Sequence, residues 1–249
     1  MGLGGRVAAI TGGTRGIGLA IATLLGEEGA HIAVCARSES TLADARARGW
    51  TAVAADMTSE KDAQRFIDAT IGKWGRLDIL VNNVGGSLGG GSFTQSSVEQ
   101  WRAVLDVNVM STLYASKAAI PHMQETGWGR IINIASVWGR ESGGGSAYNA
   151  AKAAVISMSK SMAQDLAKDG ILVNAVAPGS VWFPGGGWDQ RLRADSAKIE
   201  AFVRSDMPLG RFGKPEEVAA VVALLASDRA GLVTGACWAV DGSQGKSNL

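Results

Sequence analysis

Seven short, largely apolar runs punctuate the chain, at residues 6–10, 32–36, 51–55, 77–81, 130–135, 171–176 and 237–240. They lack the apolar–polar alternation of a half-exposed strand, so both faces of the sheet they form must be covered. Longer helical patterns lie between them: from the glycine-rich turn near residue 16 to Gly29, then 42–47, 60–74, parts of 98–121, 147–168 and 215–227. Gly29 suits the position just past a helix end, and Pro215 with Glu216 and Glu217 suits a helix start. Alternation of strand and helix leads through right-handed crossovers to a doubly wound, mostly parallel seven-stranded sheet with helices on both faces. A chain of 249 residues suits one such α/β domain over residues 1–249, with no composition break or fixed-period repeat to divide it.

The first run leads into Thr11-Gly-Gly-Thr-Arg-Gly-Ile-Gly18, and a helix opens directly after it. In that context Gly12 permits a tight turn, Gly16 lets backbone approach a diphosphate, and Gly18 lets helix and strand pack closely. Exposed N–H groups at the helix start then meet the phosphates of a nucleotide. The order is T-G-x-x-x-G-x-G rather than G-x-G-x-x-G. Glycine runs at 89–91, 143–145 and 185–187 each follow a predicted strand, where the binding crevice of such a sheet lies.

Composition narrows the remaining classes. Net charge is +1 with scattered basic residues, which leaves no electrostatic footprint for nucleic acid. No apolar stretch approaches the roughly 18 residues a membrane helix needs. His31 and His122 have no metal-ligand spacing, so no metal is expected. Cys35 and Cys237 lie in strand-like runs and read as buried thiols in a reducing, cytoplasmic setting.

Tyr148 and Lys152 stand four residues apart, in a segment where helix spacing puts both on one face. An ammonium beside a phenol favours the phenolate and lowers a pKa that is ordinarily about 10. A tyrosine tuned in this way exchanges a proton with a substrate oxygen. Alone, such a pair is more often an ordinary helix-surface pair. The glycine turn upstream reverses that weighting.

Taken in order, TGGTRGIG, Asp56, the NNVG of Asn82–Gly85, Asn108 in DVNV, Ser136, the YNAAK of 148–152 and the NAVAPG of 174–179 resemble a short-chain dehydrogenase/reductase of Rossmann type almost end to end. The resemblance implies a catalytic group of Asn108, Ser136, Tyr148 and Lys152. Tyr148 would pass a proton to the substrate carbonyl, and Ser136 would hold that oxygen. Lys152 would tune Tyr148 and bind the nicotinamide ribose. Asn108 would interrupt a helix and fix a water that links Lys152 to solvent. It places Gly12, Thr14, Arg15, Gly16, Ile17 and Gly18 at the cofactor, with Tyr148 and Lys152. Asp56 and Met57 would lie near the adenine, Asn83, Val84 and Gly85 beside the cofactor, and Pro178, Gly179 and Val181 at the nicotinamide. Val84 replaces the usual alanine, and the threonine common shortly after the Pro-Gly pair gives way to Trp182 and Phe183.

Relatives that prefer NAD(H) usually carry an aspartate after the second strand. Here Ala36 is followed by Arg37 and Ser38, and Arg15 lies in the glycine turn. Two guanidinium groups and no acid favour NADP(H) over NAD(H). Residues 180–208 form the expected substrate lid, with Trp182, Phe183 and Trp188, and Trp138 follows Ser136. Aromatic walls suit an apolar or aromatic ketone or its alcohol, although the same rings equally suit packing of the lid on itself. The alternatives are a 3-oxoacyl-[acyl-carrier-protein] reductase and a catalytically silent NADP-sensing protein. Asp169, where carrier-protein reductases usually have arginine, speaks against the first. The intact Tyr148–Lys152 pair speaks against the second. Helices 98–119 and 147–168 are apolar around much of their circumference, which together with the resemblance suggests a homotetramer.

Overall fold

Why largely apolar runs had to be covered on both faces is visible in the computed structural model, which describes residues 1–248. Strands β1 (Val7–Thr11), β2 (His31–Ala36), β3 (Thr51–Ala54), β4 (Ile79–Asn82), β5 (Gly129–Ile134), β6 (Ile171–Pro178) and β7 (Cys237–Val240) form one sheet in the order β3-β2-β1-β4-β5-β6-β7. Every strand pairing is parallel, so the sheet is parallel throughout rather than mostly. All positions of β1, β4 and β5 are buried.

The helices are α1 (Gly16–Glu27), α2 (Ala43–Ala47), α3 (Glu60–Trp74), α4 (Val98–Leu105), α5 (Ser111–Thr126), α6 (Ser146–Leu166), α7 (Gly187–Ala194), α8 (Ser196–Asp206) and α9 (Pro215–Ala226). One hydrophobic core joins Ile21 and Leu25 of α1 and Val222 of α9 to Ala8 and Ile10 of β1. A second joins Phe66 of α3, Ala115 of α5 and Ala163 of α6 to Ala9. Successive residues of one strand thus serve opposite cores, as the pleat requires.

The helix ends follow local chemistry. Gly29 has φ 93°, and the Ala30 N–H donates to the Leu25 carbonyl at 3.0 Å, closing α1 with a left-handed residue as its position suggested. Ser59 caps α3, and Ser97 with Gln100 forms a reciprocal capping box on α4.

One further expectation needs correction. The helical stretch expected to stop near Pro121 runs on to Thr126, with Pro121 inside α5. A proline there removes one amide donor, and packing against the second core holds the helix together. The lid contains two separate helices, α7 and α8, and Asp195 caps the second through the Lys198 N–H at 3.0 Å. The strand order reverses between β1 and β4, which places the binding crevice at the carboxyl ends of those strands.

Candidate active site

The glycine turn joins the end of β1 to α1. Gly12 and Gly16 have φ of 65° and 52°, a region that favours glycine. A Cβ on Gly18 would collide with the Gly12 carbonyl oxygen, which is why helix and turn approach so closely. No side chain caps α1 at Arg15 and no acidic residue lies in its first turn. The positive end of that helix is therefore suited to an anion such as a dinucleotide diphosphate.

Thr11 and Asn83 bind this turn to the end of β4. The Thr11 hydroxyl oxygen accepts from the N–H groups of Asn83 at 2.9 Å and Val84 at 3.1 Å. Asn83 Nδ2 donates to the carbonyls of Thr11 at 3.0 Å and Gly12 at 3.2 Å. Past β2, Arg37 and Ser38 are exposed, as is Arg15, with Thr14 and Ile17 half-buried beside it. Among the described residues neither Arg15 nor Arg37 is held in an ion pair. Asp56 is engaged locally, accepting from the Thr58 N–H at 3.0 Å and hydroxyl at 2.8 Å. The Met57 side chain is buried in the second core.

The second cluster gathers around α6. Tyr148 and Lys152 lie one turn apart, with Lys152 Nζ 5.7 Å from the Tyr148 ring centre. Lys152 is 3% exposed and donates from Nζ to the Ile134 carbonyl at 2.7 Å. Burial pushes its pKa down to about 8. Asn108 is fully buried in a π-helical turn, Asp106–Met110, between α4 and α5. The helix interruption expected at Asn108 takes this form. Its Nδ2 donates to the carbonyls of Gly86 at 2.9 Å and Val104 at 2.8 Å, and its Oδ1 accepts from the Gly86 N–H at 3.1 Å. A Cβ on Gly85 would sit 2.6 Å from Asn108 Oδ1 and 2.9 Å from Lys152 Nζ, so the NNVG segment packs directly on both.

Tyr148 departs from the expectation based on spacing alone. Burial raises its pKa, and a hydrogen bond with Ser136 pulls the other way. Desolvation penalises the phenolate more than the Ser136 hydrogen bond stabilises it, and the ammonium of Lys152 is directed at the Ile134 carbonyl.

The aromatic residues divide. The Trp138 ring rests on Gly143, where any Cβ would collide with it. Phe183 lies on the glycine turn, its Cζ 2.6 Å from where a Gly16 Cβ would be. It therefore borders the nucleotide end rather than the Tyr148 end, because side-chain-free Gly16 leaves room for a ring there. Trp188 stacks on Phe202 with centroids 4.8 Å apart and leans on Phe212 at 5.1 Å, so it packs the lid internally. Trp182 is half-buried, and its Nε1 has no hydrogen-bond partner among the described residues. Pro178 ends β6, the Gly179 N–H donates to the Val240 carbonyl at 3.0 Å, and buried Val181 bridges to Gly213.

Three residues escaped the sequence reading. Thr11 is one; its only signal was a hydroxyl ending an apolar strand. Gly139 is another: a Cβ there would stand 2.6 Å from the Lys152 carbonyl carbon, so the turn after β5 rests on α6. The third is Asn149, a lone amide in the alanine-rich segment around Tyr148. Among the described residues no group of His, Cys, Asp and Glu is placed to hold a metal, and no helix is long and apolar enough to cross a membrane.

Comparison with known proteins gives the family. A family model described as enoyl-(acyl carrier protein) reductase matches residues 12–243. The chain is 41% identical over 247 residues to 2-(S)-hydroxypropyl-CoM dehydrogenase 3 of Xanthobacter autotrophicus, covering 95% of each. It is 37% identical over 245 residues to cis-4-hydroxycyclohexanecarboxylate dehydrogenase of Sinomonas cyclohexanicum, again covering 95% of each. It is also 37% identical to a 3-oxoacyl-[acyl-carrier-protein] reductase of Vibrio cholerae, covering 97% of this chain and 98% of that one. The crystal structure of levodione reductase superimposes with a TM-score of 0.91 at 30% identity, covering 98% of this chain and 99% of the other. The chain belongs to the short-chain dehydrogenase/reductase family, NAD(P)-dependent enzymes that interconvert C=O and CH–OH groups.

Proposed function

We propose that the protein interconverts a ketone and a secondary alcohol with NADP(H) as its preferred cofactor and Tyr148 as the general acid and base. The observation that carries this reading is the packing of Gly85 against both Asn108 and Lys152, which joins the α6 cluster to the segment held on the glycine turn. When bound, the nicotinamide supplies the hydride. Tyr148 delivers a proton to the carbonyl oxygen during reduction and removes it during oxidation. Ser136 donates a hydrogen bond to the same oxygen as negative charge develops there. Lys152, one turn from Tyr148 on α6, binds the ribose. Gly12, Gly16 and Gly18 with the start of α1 hold the diphosphate. Arg15, Arg37 and Ser38, exposed and with both arginines outside ion pairs, receive the 2′-phosphate.

The substrate in this reading is an apolar ketone carrying an aliphatic or aromatic ring, seated toward Trp138 and Trp182. Relatives named for a hydroxycyclohexanecarboxylate and for levodione support that class. A second reading, reduction of 3-oxoacyl groups on a carrier protein, draws on the relative from Vibrio cholerae. Asp169, where those reductases usually have arginine, bonds to Gln124 at 2.7 Å and offers no cation to an acidic carrier. We also place the enzyme in the cytoplasm and assign it a homotetramer, supported by exposed Phe93 and Val98 at α4 and by Leu232, which is 98% exposed. A panel of ring ketones, open-chain ketones and a 3-oxoacyl thioester, followed by loss of NADPH absorbance, tests the reading. Ring ketones should give the highest kcat/KM. Preference for the thioester would establish the second reading, and turnover of none would overturn both.

A further inference from the structure

We propose that Asn149 is a positioning residue: its side-chain amide clamps the loop of residues 138–145 onto α6 and so fixes Trp138 as a wall of the substrate site. An asparagine amide has one carbonyl oxygen and two N–H donors, and here all three serve one loop. Oδ1 accepts from the Gly144 N–H at 2.9 Å. Nδ2 donates to the carbonyls of Trp138 and Glu141, both at 2.8 Å.

The loop opens on a short helical turn, with the Arg140 N–H donating to the Val137 carbonyl at 2.9 Å, but its far end, Gly143, Gly144 and Gly145, brings little order of its own. Its two ends are held elsewhere. The Trp138 N–H donates to Ser136 Oγ at 3.2 Å, and the Ser146 N–H donates to the Gly91 carbonyl at 3.2 Å. Between those ends, Asn149 supplies three side-chain bonds to the loop, and Glu141 Oε2 accepts a fourth from the Lys246 N–H at 2.6 Å. Gly143, with φ 157°, makes room for the Trp138 ring, which lies against it. Trp138 stays partly exposed and offers surface beside the site. Asn149 follows Tyr148 on the same helical turn, so one element fixes the spacing between the proton donor and the indole. A flat, held indole favours a ring-bearing ketone over an open-chain one. The substrate part of this inference rests on the proposed reaction; the clamp itself does not.

The test is Asn149→Ala, with steady-state kinetics on a substituted cyclohexanone and an open-chain methyl ketone, and NADPH binding followed by fluorescence. Loss of the clamp should raise KM for the ring ketone about 10-fold or more, the scale of one lost hydrogen bond. The value of kcat should stay within about 3-fold and NADPH affinity within about 2-fold, since neither is set by this loop. Without substrate, hydrogen exchange in 138–145 should quicken about 10-fold. Gly143→Ala pushes on Trp138 from the other side without touching α6, should give the same KM signature, and decides the matter if Asn149→Ala does not fold. Unchanged KM, or equal losses in kcat and NADPH binding, would overturn the proposal. If the wild type favours open-chain ketones, the ring-substrate reading falls, and the clamp is judged by KM for those ketones and by the exchange rate.

Discussion

Replacing Lys152 by methionine should make the cofactor-free protein more stable at neutral pH while destroying its activity. Lys152 is 3% exposed, and among the described residues its Nζ has one hydrogen-bond partner, the Ile134 carbonyl, and no carboxylate. Burial moves its pKa from 10.5 to about 8. At about 1.4 kcal/mol per pH unit, this fall corresponds to roughly 3 kcal/mol held against the charged form in the folded state. Methionine keeps an unbranched apolar stem and removes the charge, at the loss of the bond to Ile134. A net gain of about 1–3 kcal/mol remains, and for a chain of this size each kcal/mol shifts Tm by roughly 2–4 °C. The folded pKa lies below the unfolded one, so the penalty is complete below pH 8. As pH rises from about 8 toward 10.5, the folded amine sheds its proton while the unfolded one keeps it. Stability of the wild type therefore climbs across that window, and the advantage of Lys152→Met must shrink there. Urea unfolding at several pH values between neutrality and pH ~10 reads both the sign and the slope. A variant less stable than wild type at neutral pH, or a difference flat with pH, would refute the reasoning.

Cofactor choice and assembly are tested separately. Arg37→Ala should raise KM for NADPH by about 10-fold or more, the scale of a lost charge-assisted hydrogen bond, and leave NADH almost unchanged; equal losses would show that Arg37 does not read the 2′-phosphate. Light scattering at micromolar concentration should report about four times the 25.7 kDa chain mass, and a clean mass of one chain would rule the tetramer out.

Much of the framework was legible because it follows from local rules. The strand at 237–240 and the helix at 60–74 match β7 and α3 to the residue, the first an apolar run and the second opened by the Ser59 cap. Gly29 was legible for the same reason. What stayed hidden depends on contacts across the fold. Pro121 inside α5 is tolerated through tertiary packing that no periodicity announces. Asn108 and Lys152 are brought together through Gly85, in the segment after β4. Aromatic residues of the lid could be counted but not aimed: Trp188 and Phe183 face Phe202 and Gly16, choices made by the lid's own packing and by an absent side chain. The direction of the Tyr148 shift was hidden too, because spacing shows a neighbouring charge but not how much water burial removes.

Tyr148→Phe removes one hydroxyl and keeps the ring, and so isolates the proton transfer assigned to Tyr148. Turnover of the best ketone should be measured by NADPH absorbance, and NADPH binding by fluorescence on the same samples. The kcat should fall at least about 10²-fold, the lower range for loss of a general acid, with NADPH affinity largely kept. Near-normal turnover by Tyr148→Phe would contradict that assignment.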